Sequence, residues 1–81
     1  MQYRFRATTR RGGSTFGAIT MSPSELPTWV LGRFRARFRD LVVCAGAGPV
    51  PPGRDEDSVA EIGPSPETGR RGWWAESPEG N

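Results

Sequence analysis

Arginine and tryptophan are the residues of this chain best placed to bind something. All eleven basic residues are Arg, with no Lys and no His. An arginine fork suits phosphate and carboxylate oxygens. The plainer reading is codon bias, because Gly, Ala, Pro and Arg are abundant while Ile, Asn and Tyr are scarce. Bias accounts for Arg over Lys but not for where the arginines stand. Arg4 and Arg6 alternate with Tyr3, Phe5 and Ala7. Arg10 and Arg11 sit in a Gly-rich turn. Arg33, Arg35, Arg37 and Arg39 punctuate one segment, and Arg70 and Arg71 precede Trp73-Trp74. Arginine interleaved with aromatics on a sheet can hold a single-stranded nucleic acid. The competing reading pairs these arginines with Glu61, Glu67 and Glu76 across strands, each pair worth little.

Several chemistries are excluded. Without His, and with Cys44 as the single cysteine, there is no Cys/His zinc site, no His-based triad and no disulfide framework. Without Lys there is no Schiff-base lysine. The Gly46–Gly53 stretch looks superficially like a phosphate loop, but it lacks the Gly-Lys-Ser/Thr ending, and its prolines remove amides. Asp55-Glu56-Asp57 reads as a solvated cluster rather than a cation site, which needs oxygens converging from several places. Glu61 and Glu76 read as solvated strand positions rather than an acid–base pair. The sequence therefore points to a non-enzymatic protein with no cofactor and no metal.

The elements that carry these residues follow from periodicity. Residues 2–8 alternate apolar and polar, as a half-buried strand does. Arg10-Arg11-Gly12-Gly13-Ser14 is a turn, and residues 15–21 return as the second strand of a hairpin. Ser22, Pro23 and Glu25 form a helix start with a capping box, and Met21 and Leu26 occupy the staple positions. Pro27 disturbs the first turn, so the regular helix is expected from about Pro27 onward.

Residues 28–41 fit two templates. Arg33 to Arg39 alternates as a strand would. Val30, Leu31, Phe34, Phe38 and Leu41 also recur at helical spacing over an arc of about 100°. The preceding start signals favour a helix, with Trp29 opposite its apolar stripe and arginines along both edges. Leu41–Ala45, Ser58–Gly63 and Arg71–Glu76 read as strands. Residues 46–58 read as a mobile loop, and 64–69 as a turn. The expected fold is α+β: a small antiparallel sheet in the order β-β-α-β-β-β with one helix across one face. Residues 1–77 form one small domain and 78–81 a frayed tail. Consecutive residues of a strand face opposite ways. One of Trp73 and Trp74 is therefore expected in the core and the other on the open face.

The charge is unevenly placed. Residues 1–40 hold eight Arg against Glu25 and Asp40, a balance of +6, while residues 41–81 hold three Arg against seven acids, a balance of −4. Such asymmetry hints at a polyanionic partner, unless the two halves neutralise each other on folding. No apolar run is long enough for a membrane span. The N-terminus lacks a secretory signal, and a lone apolar Cys44 suits a reducing compartment, so a cytoplasmic protein is expected.

The segments Ser22-Pro23-Ser24-Glu25-Leu26-Pro27-Thr28-Trp29-Val30, Ile62-Gly63-Pro64 and Thr68-Gly69-Arg70-Arg71-Gly72-Trp73-Trp74-Ala75-Glu76 carry a resemblance. They resemble small uncharacterised proteins of high-GC actinobacteria and of their phages and plasmids. The resemblance covers about half the chain at the level of pattern. It implies no activity. It does imply that the Thr-Gly-Arg-Arg-x-Trp-Trp segment belongs to the fold.

Two functions follow. The first is a nucleic-acid-binding module using Arg4, Arg6, Arg10, Arg11 and Trp74, with Arg33, Arg35, Arg37 and Arg39 as a second, phosphate-facing edge. The alternative is a protein-partner adaptor or inhibitor of mobile-element origin, anchored by Trp29 or Trp74 with Arg70 and Arg71 on the rim. An exposed final strand, as an open edge, makes a homodimer possible under either.

Overall fold

The computed structural model describes residues 1–48, 58–65 and 67–76. Five strands form one antiparallel sheet: β1 (Gln2–Thr8), β2 (Ser14–Thr20), β3 (Asp40–Ala45), β4 (Ser58–Pro64) and β5 (Arg71–Ala75). Their spatial order is β2-β1-β3-β4-β5. One helix, α1 (Leu26–Arg35), follows a 3-10 turn at Pro23–Glu25 and packs on one face. This is the α+β arrangement, with the element order, that the sequence implies. Among the described residues no helix is long and apolar enough to cross a membrane. Most of the expected loop, residues 49–57 with Asp55-Glu56-Asp57, lies outside the described residues, as do residue 77 and the expected tail 78–81.

The β1–β2 hairpin turns because Gly12 takes φ +89°, a conformation that costs a side-chain-bearing residue energy. Gly12 N–H donates to Thr9 O, and Thr9 N–H to Gly13 O, both at 2.9 Å. The helix start works as its residues suggest. Ser22 N–H donates to Glu25 Oε2 at 3.1 Å, and Glu25 N–H to Ser22 O at 2.9 Å. Met21 and Leu26 both enter the core. Pro27 lies in the first turn of α1, where a missing amide costs no ladder bond.

The core lies between α1 and the sheet. Tyr3 and Ala7 from β1, Leu41 and Val43 from β3, Ala60 and Ile62 from β4, and Leu26 and Val30 from α1 are all buried. The register accounts for this set. Ala7 stands opposite Leu41, and Leu41 opposite Ile62, so alternate residues of three central strands share the helix-facing side.

The helix is shorter than its apolar spacing implies. It ends at Arg35, and β3 begins at Asp40, so Phe38 lies in the connection and Leu41 in a strand. Arg37 takes φ +63° and ends the helix. Its N–H donates to Phe34 O at 3.0 Å, and Phe38 N–H donates to Arg33 O at 3.2 Å. This is the Schellman pattern, with Arg where Gly is usual.

Trp29 also differs from expectation. The buried stripe is built from Leu26, Trp29, Val30 and Phe34, which puts Trp29 on the sheet side. Its ring meets Phe5 edge-on, with centroids 5.3 Å apart. Taking Leu31 into the stripe and leaving Leu26 out turns the expected face away from Trp29, whereas Leu26 is buried and Leu31 does not join the core. Trp73 does lie on the helix side, opposite Ile62, but β5 is an edge strand and the side chain is 36% exposed. Neither member of the Trp73-Trp74 pair is therefore a core residue.

Candidate functional site

Sheet order gathers most of the described arginines at one end of the sheet. The β1–β2 turn, the C-terminal end of α1, the start of β3 and the β4–β5 turn all lie at one end of the sheet, because all neighbours run antiparallel. That end holds Arg10, Arg11, Arg35, Arg37, Arg39, Arg70 and Arg71. Among the described residues, only Asp40 and Glu67 oppose them there. Among the described residues, the acids at this end do not balance the arginines gathered there.

The centre of this pole is a cleft of about 390 Å³ lined by Phe34, Arg35, Arg37, Arg39 and Arg71. Four of its five lining residues are guanidinium-bearing and none is acidic. Arg35, Arg37 and Arg39 are exposed, and among the described residues their side chains form no hydrogen bond or ion pair. Each position is fixed by the backbone. Arg35 closes α1, and Arg37 is turned outward by its left-handed conformation. Arg39 is tied to the sheet by its N–H, which donates to Thr8 O at 2.8 Å. The Arg39 side chain runs to the hairpin turn: its Nη1 lies 3.7 Å from where a Cβ on Gly12 would stand. It thereby joins the cleft to Arg10 and Arg11.

Arg71 plays a different part. Its Nε donates to Phe38 O at 2.9 Å, and its Nη2 to Phe34 O and Phe38 O at 2.8 and 2.7 Å. Its guanidinium lies 4.1 Å from the centroid of the Phe34 ring. The Phe34 carbonyl stands at the negative end of α1, where a cation is stabilising, and the Phe38 carbonyl lies in the connection beyond it. Arg71 thus forms the wall of the cleft and offsets a partial negative charge that would repel an anion.

The other basic residues named from the sequence are engaged within the fold. Arg33 lies 4.4 Å over the Trp29 ring. Arg4 is half-buried, and its Nη1 donates to Ala47 O at 3.3 Å, at the end of the sheet opposite the arginine pole. Arg6 is half-buried in a row that crosses the open face of all five strands: Phe16, Arg6, Val42, Glu61 and Trp74. Phe16 is 81% exposed and Trp74 is 46% exposed. They stand at the two edges, four strand spacings or about 19 Å apart. Arg4 and Arg6 therefore share a face with Trp74, Arg6 in the same row but three strands away from it.

Glu61 and Glu76 have different neighbours. Glu61 accepts a 2.6 Å hydrogen bond from Ser58 Oγ. Glu76 bears on Tyr3, whose phenol is held above its ordinary 10.0 first by burial and then by that carboxylate. Among the described residues no group of three His, Cys, Asp or Glu is placed to hold a metal ion. Cys44 is fully buried in β3, as a small apolar residue would be.

Two functional features escaped sequence reasoning. The cleft needs the end of α1 and the start of β5 side by side, which no local pattern reveals. The exposed Phe16 read only as part of an apolar strand. The charge balance of the first forty residues was the one signal for the pole. Compared with family models, with curated proteins and with solved structures, the chain finds no match.

Proposed function

We propose that this protein is a non-enzymatic nucleic-acid-binding module whose phosphate contacts come from the arginine pole. The observation that carries the reading is the cleft in which Arg35, Arg37 and Arg39, free of acidic partners among the described residues, surround Phe34 beside Arg71. Phosphates neutralised by such forks release counterions, which gives affinity without sequence preference. Arg10, Arg11 and Arg70 extend the same charge beyond the cleft. Trp74 and Phe16 on the open face offer stacking platforms for unpaired bases, so a single strand suits the surface better than a duplex. The buried Cys44 thiol agrees with a cytoplasmic setting.

The test is a fluorescence-anisotropy titration of a labelled single-stranded oligonucleotide. Replacing Arg35, Arg37 and Arg39 together should abolish most of the affinity, while Arg33→Ala should change it little. The adaptor reading draws on Trp74 and Arg70, because Trp29 packs on Phe5 and Arg71 is bonded to the helix end. It expects a protein partner whose binding tolerates salt and fails in Trp74→Ala.

A further inference from the structure

Among the described residues, nothing pairs with the outer edge of β2. Hydrogen-bonded and non-hydrogen-bonded pairs alternate along an antiparallel ladder. Thr9 N–H donates to Gly13 O at 2.9 Å and Met21 N–H to Met1 O at 3.0 Å, which fixes the phase. Thr15, Gly17 and Ile19 must therefore bond inward to β1. The backbone groups of Ser14, Phe16, Ala18 and Thr20 point away from the sheet, and among the described residues nothing meets them. The helix lies over β4 and β5 and leaves β2 uncovered.

Proteins blunt such edges with charges, Pro or bulges. β2 (Ser-Thr-Phe-Gly-Ala-Ile-Thr) has none of these, and it is the one described strand without a charged residue. It also exposes Phe16 more than any other large apolar residue described.

We infer that β2 pairs with β2 of a second copy of this chain, antiparallel about a two-fold axis at Gly17. The occupant follows from self-complementarity. Centring on Gly17 sets Phe16 opposite the partner's Ala18 and Ser14 opposite the partner's Thr20, so every outward backbone group meets another, and each such pair exchanges two hydrogen bonds. The two Phe16 rings then stand diagonally across the axis, within reach of each other. Gly17 meets Gly17 with no side chain to separate the strands, and the Phe5 ring already covers it, 3.4 Å from where a Cβ would stand. A like strand brings no charge to oppose. The product is a ten-stranded sheet with both helices on one side and the arginine poles at opposite ends.

Sedimentation equilibrium of the full chain tests this, with loading from about 1 µM to about 1 mM, which spans weak association. The expected result is twice the chain mass at high loading and the monomer mass on dilution. Phe16→Lys should hold the chain monomeric throughout, with an unchanged far-UV spectrum. Ala18→Pro is the second variant: its lost N–H points outward, so no bond within the chain is removed, and it too should be monomeric. Trp73→Lys, on the opposite edge, should leave the dimer intact. A monomer at every loading would overturn the inference. So would a dimer that survives both β2 variants, or one lost only in Trp73→Lys.

Discussion

Nη2 of Arg71 donates to the carbonyl oxygen of Phe34 at 2.8 Å, while the same guanidinium covers the Phe34 ring at 4.1 Å. One side chain on the last strand thus joins the end of the helix to the sheet and shapes one wall of the arginine cleft. Arg71→Ala removes three charge-assisted bonds to two carbonyls. It should cost about 1–2 kcal/mol, read as a lower midpoint in urea denaturation. Arg71→Lys keeps the charge but cannot reproduce the fork, so it should recover only part of the loss. Equal stability of the three proteins would mean that the contact contributes nothing to stability.

Arg37 is held at φ +63°, a conformation that a side chain disfavours and glycine does not. Arg37→Gly should therefore stabilise the fold by about 0.5–1 kcal/mol. It also removes a guanidinium from the cleft. The same variant should melt higher and bind nucleic acid more weakly, so the two effects carry opposite signs. A thermal melt and an anisotropy titration on one preparation check both.

Much of this architecture was legible locally. The Tyr3–Phe5–Ala7 alternation, the Gly12 turn and the Ser22–Glu25 start each act through neighbouring residues, so they appear in the sequence as in the fold. The end of the helix was not legible. Phe38 and Leu41 continue the helical spacing, and Arg37 is not a residue type that announces a left-handed stop. The position of Trp73 depended on β5 being an edge strand, which only the sheet order decides. The cleft shares that dependence, since Arg71 and Phe34 are 37 positions apart in the chain.

Tyr3 predicts an alkaline limit. Burial, aided by Glu76, holds its phenol above 10.0. The unfolded chain then ionises first, so the folded state binds more protons above that pH, and stability falls as pH rises. Below about pH 10 the contribution is fully present. Unfolding midpoints taken from pH 8 to pH 11.5 should fall above about pH 10 in the parent chain and fall less in Tyr3→Phe. Parallel curves would assign the alkaline loss to other groups.

The most direct test of the arginine pole compares the salt dependence of two proteins. The parent chain and an Arg35→Ala/Arg37→Gly/Arg39→Ala variant are titrated against the same labelled single-stranded oligonucleotide at about 50 and about 200 mM salt. Glycine at position 37 keeps the left-handed stop. With four to six phosphates neutralised, the parent affinity should fall by about 10²-fold between the two conditions. In the variant, the slope of log affinity against log salt should be smaller by about 2, one increment of about 0.7 for each lost phosphate contact. Equal slopes, or no binding by the parent at the lower salt, would contradict the proposal that this protein holds nucleic acid through its arginine pole.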